Sequence, residues 1–167
     1  MKRISFTVML ATMAVFAAAQ TASPTPAQKA YAAIKKLKGT WQGEMGKETF
    51  KVVYKVTGGG ATVIETQMPD TEMEMVTIYH LDGPNKLVLT HYCAAMNQPT
   101  MKLAAGGTDK AFKFNFVSGS NMKATDMHIH NVRYKILSDD HIITEWEGYA
   151  KGKPAGTETF DLKRVKE

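Results

Sequence analysis

The sequence predicts an all-β protein: an antiparallel meander closed into a barrel of about eight to ten strands, preceded by a short helix. Three observations give this. From Gly39 to the C-terminus, apolar residues alternate with polar ones at period two. The alternating stretches are short and separated by turn residues at regular intervals, as in sandwiches and barrels. An open sheet of so many short strands would carry exposed edges, and closure removes them.

The predicted strands span residues 40–44, 50–57, 62–68, 73–81, 86–93, 100–105, 111–117, 127–137, 141–150 and 157–165. Turn signals punctuate them: Gly58-Gly59-Gly60, Pro69-Asp70, Asp82-Gly83-Pro84-Asn85, Gly106-Gly107, Ser118-Gly119-Ser120, Ser138-Asp139-Asp140 and the stretch 151–156. Such short connections favour antiparallel neighbours. Ahead of the first strand, residues 28–38 place Tyr31, Ile34 and Leu37 three apart, on one face of an amphipathic helix.

The first 19 residues have the three parts of a secretory signal peptide. Lys2 and Arg3 form a positive n-region, residues 4–18 an uncharged apolar core, and Ala17-Ala18-Ala19 a small-residue cleavage site. The apolar run is short for a bilayer span, which needs about 20 residues. The expectation is therefore an exported protein, periplasmic or secreted, with no stable membrane span after cleavage. Residues 20–27 (QTASPTPA) read as a flexible linker, and residues 28–167 as a single domain. Loss of Lys2 and Arg3 lowers the formal net charge from +5 to +3. The remaining lysines are scattered, so the sequence does not read as a nucleic-acid binder. Cys93 is the only cysteine, which excludes an internal disulfide.

Alternation sorts side chains by face. Phe112, Phe114 and Phe116 lie together, as do Leu87, Leu89, His91 and Cys93. Met73, Met75, Thr77 and Tyr79 share a face, as do Ile142, Thr144 and Trp146. In the last strand Phe160, Leu162 and Arg164 share one.

Gly39-Thr40-Trp41 opens the first strand just after the helix, and Arg164 lies in the last strand. This layout resembles the calycins, the group of lipocalins and fatty-acid-binding proteins. The resemblance implies that Trp41 closes one barrel end and that Arg164 packs over its ring. A second segment, Tyr79-His80-Leu81-Asp82-Gly83 followed by LVLTHYCAAMNQP from Leu87 to Pro99, is similar to a motif of exported bacterial calycin-like proteins. That similarity implies fold and not activity. A more distant comparison is with haem-binding calycins of the nitrobindin kind, and it assigns the haem-ligand role to no particular histidine.

Two constellations could carry chemistry. His91 and Cys93 project to one face at a strand end, and Asn97 and Gln98 add amides at the connection that follows, with Pro99 and Met101 beyond. A few fixed polar groups beside an apolar wall are what a ligand site needs; the same amides could instead cap loop backbone. His128 and His130 sit at i and i+2 on a strand with Val132, Tyr134 and Ile136, a face read as inward. Two such imidazoles could share a metal if His91, Cys93, His80 or a carboxylate joined them. Eight methionines follow residue 19, namely Met45, Met68, Met73, Met75, Met96, Met101, Met122 and Met127. Thioethers suit Cu(I), but Met is also a general filler of irregular cores. The Glu145/Glu147 and Asp139/Asp140 pairs read as solvated surface. The chain contains no G-x-S-x-G, Walker, G-x-G-x-x-G, H-E-x-x-H, EF-hand or C-x-x-C-H sequence. No catalytic residue and no cofactor is assigned.

The functional expectation is a binding protein rather than an enzyme, holding a small apolar or amphipathic ligand inside the barrel. Its contacts would be His91, Cys93, Asn97, Gln98, Met101, Phe114, His128, His130, Tyr134 and Trp146, with the methionines as further lining. The alternatives are a metal- or haem-associated protein or enzyme using His91, Cys93 and the His128/His130 pair, and an envelope module with a filled barrel.

Overall fold

A computed structural model describes residues 23–46 and 48–166. The signal peptide read over residues 1–19 lies outside the described residues. Helix α1 (Pro26–Lys36) leads into ten strands: β1 (Gly39–Met45), β2 (Glu48–Thr57), β3 (Thr62–Gln67), β4 (Met75–Leu81), β5 (Leu87–Tyr92), β6 (Gln98–Leu103), β7 (Ala111–Ser120), β8 (His128–Ser138), β9 (His141–Ala150) and β10 (Lys153–Arg164). Each strand pairs antiparallel with the next. β1 and β10 join through Trp41 opposite Arg164 and Gln42 opposite Lys163, so the meander closes into a ten-stranded barrel.

The helix begins at Pro26, so the last two residues of the predicted linker are helical. Thr25 explains the earlier start. Its hydroxyl accepts from the Gln28 amide N–H, and the Gln28 side chain accepts from the Thr25 N–H, a capping box with Pro26 at the first helical position. Tyr31, Ile34 and Leu37 are all buried against the barrel end. The last hairpin is tighter than predicted. Lys151 and Gly152 both take positive φ, the two-residue turn that matches strand twist, and β10 starts at Lys153 rather than 157. Pro154 is accommodated at a bulge between Pro154 and Gly156.

The helix covers the end at which β1 starts and β10 finishes. There the Arg164 guanidinium lies 4.3 Å from the centre of the Trp41 ring. The Trp41 indole N–H donates to the Leu37 carbonyl at 2.7 Å. The guanidinium also donates to the carbonyls of Lys36, Lys38 and Asp139. One side chain thus ties the helix C-terminus, the β8–β9 turn and the barrel seam. Arg164→Lys is expected to lose about 1–3 kcal/mol in urea unfolding, because an ammonium keeps the charge over the ring but cannot reproduce the planar fork. A lysine variant as stable as the parent would show that charge alone suffices.

Candidate functional site

Inward-facing residues of every strand form the interior, with Trp41, Phe50, Tyr54, Tyr79, Phe114 and Tyr134 all 1% exposed or less. Set among them is a carboxylate, Glu65 on β3, also 1% exposed. Its Oε2 lies 2.5 Å from the Tyr79 hydroxyl and 2.7 Å from that of Tyr134, and the two hydroxyls lie 2.6 Å from each other. Its Oε1 accepts from the Gln67 amide at 2.8 Å. Both phenols donate to the carboxylate when Glu65 is ionised; when it is protonated, all three oxygen contacts can be hydrogen bonds at once. A proton on Glu65 closes the ring: carboxyl to one phenol, that phenol to the next, and the second phenol back to the carboxyl. Burial, the largest influence, pushes the Glu65 carboxyl above its ordinary range and outweighs the hydrogen bonds that lower it. Burial, and then the charge of Glu65 when it is ionised, pushes the Tyr54, Tyr79 and Tyr134 phenols well above their ordinary value.

The two constellations singled out in the sequence meet at the barrel end away from α1. His91 on β5 is buried, and its Nδ1 lies 2.8 Å from the Thr77 hydroxyl on β4. The Trp146 ring of β9 lies 5.1 Å from it, centre to centre. Its Nε2 is buried with no partner. Burial lowers the imidazole pKa to about 4, so the ring is neutral near pH 7. The hairpin after β5 is closed by Met96 N–H to Cys93 O and Cys93 N–H to Asn97 O, with Met96 at φ 60. This pattern sets Asn97 opposite Cys93. The Asn97 amide donates to the Met127 carbonyl at 2.7 Å, fastening the hairpin to the start of β8, while its Oδ1 is buried and unpartnered. Among the described residues, His91 Nε2 and Asn97 Oδ1 are the two buried side-chain polar atoms without a hydrogen bond. Such atoms are rare in native structures, where ordered water, an ion or a ligand commonly meets them.

The other predicted contacts divide. Met101, Phe114, Tyr134 and Trp146 face the interior, as expected. Cys93 is half-buried. The Gln98 side chain accepts from the Ser120 hydroxyl at 2.9 Å, which ties two strands together. Of the eight methionines only Met101 is buried. Met45, Met73, Met96 and Met127 are exposed, and Met68, Met75 and Met122 are half-buried. The expected methionine lining is corrected on this point: most of these residues sit in or beside the turns at the uncovered end, where no strand aims them inward.

The reading of His128 and His130 as one inward face is also corrected. β8 shifts register against β9 between Ile129 and Asn131, so alternation fails at His130. His128 is buried, while His130 is half-buried and stacked on Tyr149 at 3.8 Å between ring centres. His128 Nδ1 faces the Asp126 carbonyl at 2.8 Å, so that nitrogen carries a proton. The His128 Nε2 lies 3.0 Å from His130 Nδ1, within hydrogen-bond distance. Burial, then His128, hold the His130 pKa below its ordinary value. The pair is occupied with itself. Among the described residues no group of three or more His, Cys, Asp or Glu side chains comes together as a metal site, and His80 is exposed on the outer face.

Sequence reasoning missed Glu65. The signal was present, since Val63, Glu65 and Gln67 alternate, but Ile64 on the opposite face offered an equally apolar choice.

No known protein family's sequence profile matches the chain, and no curated protein matches it. The structure is similar to the crystal structure of Rv2717c from M. tuberculosis, with a TM-score of 0.53 and 16% sequence identity over 82% of this chain and 98% of that one. The two share a barrel fold. At this identity the likeness carries fold alone.

Proposed function

We propose that this is an exported, calycin-like binding protein that holds a small, largely apolar ligand at the barrel end opposite α1. The observation that carries the reading is the pair of unpartnered buried atoms, His91 Nε2 and Asn97 Oδ1. Both fall in the segment whose mixture of polar types first suggested a site. Apolar walls with a few fixed polar groups suit such a ligand, and Trp146, Met101 and Phe114 supply apolar wall. The signal peptide and the G-x-W-to-Arg164 closure support export and calycin kinship.

A second location has its own support. A cleft of about 430 Å³ opens beside the helix, with Ala33, Leu37 and Ile136 as apolar surface and Lys36 and Lys110 at its margin. The unpartnered atoms weigh more, because a surface cleft leaves no buried polar group unsatisfied. Two measurements decide. Native mass spectrometry of protein purified from its own host is expected to show a co-purifying small molecule. Titration with dodecanol is expected to move the amide resonances of Thr77, His91 and Asn97. Shifts confined to Ala33, Leu37 and Ile136 would place the site in the cleft instead. An absence of any ligand and of any shift would leave the filled-barrel module as the reading.

A further inference from the structure

Resting on that reading, we infer that the site takes an uncharged ligand bearing a hydrogen-bond acceptor, such as an alcohol, ester or ketone on an apolar body, and rejects carboxylates.

The first argument is the proton on His91. Thr77 is fully buried, and its hydroxyl has one hydrogen-bond partner among the described residues, His91 Nδ1. If Nδ1 carried the proton, the hydroxyl hydrogen would be stranded in the interior. With the hydroxyl donating to Nδ1, the threonine proton is used and Nε2 carries the imidazole hydrogen. The unpartnered atom of His91 is therefore a donor, and that of Asn97 is a carbonyl acceptor. The oxygen of an alcohol, ester or ketone offers the acceptor that His91 lacks.

The second argument is charge. Among the described residues, no lysine, arginine or aspartate is buried. The one buried carboxyl, Glu65, is engaged with Tyr79 and Tyr134 and brings no positive charge in either protonation state. The neutral His91 ring supplies no positive charge. Arg164 lies at the helix end, occupied by backbone carbonyls and the face of Trp41. A carboxylate entering beside His91 would lose its hydration and find no counter-charge, which is strongly unfavourable. An alcohol or ester loses far less.

The experiment is calorimetric titration of the mature protein at neutral pH with dodecanol, methyl dodecanoate and dodecanoate, each below its aggregation limit. Dodecanol and the ester are expected to bind, with dodecanoate at least about a hundredfold weaker. His91→Phe is expected to weaken the first two, whereas His91→Gln, which keeps a donor, retains the preference and serves if the phenylalanine variant misfolds. Dodecanoate binding as tightly as dodecanol would overturn the inference and leave the binding reading standing. If none of the three binds to folded protein, the binding reading itself falls, and the inference with it.

Discussion

Glu65→Ala is expected to destabilise the protein by about 3–5 kcal/mol, whereas Glu65→Gln should cost only about 1–2 kcal/mol at acidic pH. Alanine leaves a cavity in a packed interior and strips the Tyr79 and Tyr134 hydroxyls of their shared partner. Glutamine keeps the volume and part of the ring. The more informative result is the pH dependence. An unfolded glutamate loses its proton near pH 4.3, whereas folded Glu65, raised by burial, keeps it to higher pH. Between those two values the folded state holds one more proton than the unfolded state. Stability from this group is thus complete below the unfolded pKa and declines as pH rises through the folded one, by up to about 1.4 kcal/mol per pH unit. His91 acts oppositely: its pKa of about 4 against an ordinary 6.5 removes stability as pH falls through that interval. The two windows overlap, so the measured quantity is the difference between wild type and Glu65→Gln in urea unfolding across a pH series. That difference should move in favour of the variant as pH rises. A difference independent of pH would mean that folding leaves the Glu65 pKa unchanged and that burial does not raise it.

This network also marks how far the sequence could be read. All ten strands were legible, because period-two alternation and turn residues are local signals. So was the Trp41–Arg164 closure: Arg164 packs over the Trp41 ring as expected. What could not be read locally was a choice of face or a break in alternation. On β3, Glu65 points inward because Val63 and Gln67 share its face, yet Thr62, Ile64 and Thr66 offered an alternative of similar hydrophobicity. On β8 the bulge at His130 is a property of the pairing with β9, and neither strand shows it alone. The site segment fared better. His91 and Asn97 drew notice as polar groups at a strand end, and both prove to be buried with one atom unpartnered. Gln98 drew the same notice and proves to be a strand-to-strand tie, a distinction that only the partner's position decides.

The barrel seam gives a prediction on which local propensity and tertiary packing disagree in sign. Gly43 lies within β1, opposite Phe50 of β2, just past the last β1–β10 pair, Gln42 and Lys163. A valine is intrinsically better suited to a strand than a glycine, so propensity alone predicts that Gly43→Val stabilises the protein. The packing predicts the reverse. A Cβ at Gly43 would lie 2.3 Å from the carbonyl oxygen of Asp161 and 3.1 Å from Leu162 Cδ2. The first of these is backbone, so relief requires β10 to move away. β10 is poorly placed to do so, because Phe160 stacks on Phe50 across the seam, with ring centres 4.0 Å apart and planes 7° from parallel. Displacing β10 would open that stack as well as the short β1–β10 pairing that closes the barrel. Gly43→Val is therefore expected to cost about 3 kcal/mol, the upper part of the range for overpacking, and to lower the Tm by roughly 6–12 °C. Gly43→Ala, with the same Cβ and less bulk, should show most of the loss. In a cycle with Phe160→Leu the two losses should fall short of additivity, since a seam already loosened by losing the stack gives way more readily to the new side chain. A valine variant that melts at or above the wild-type temperature would show that the seam is pliant, and that β10 is held by its long pairing with β9 rather than by its contact with β1.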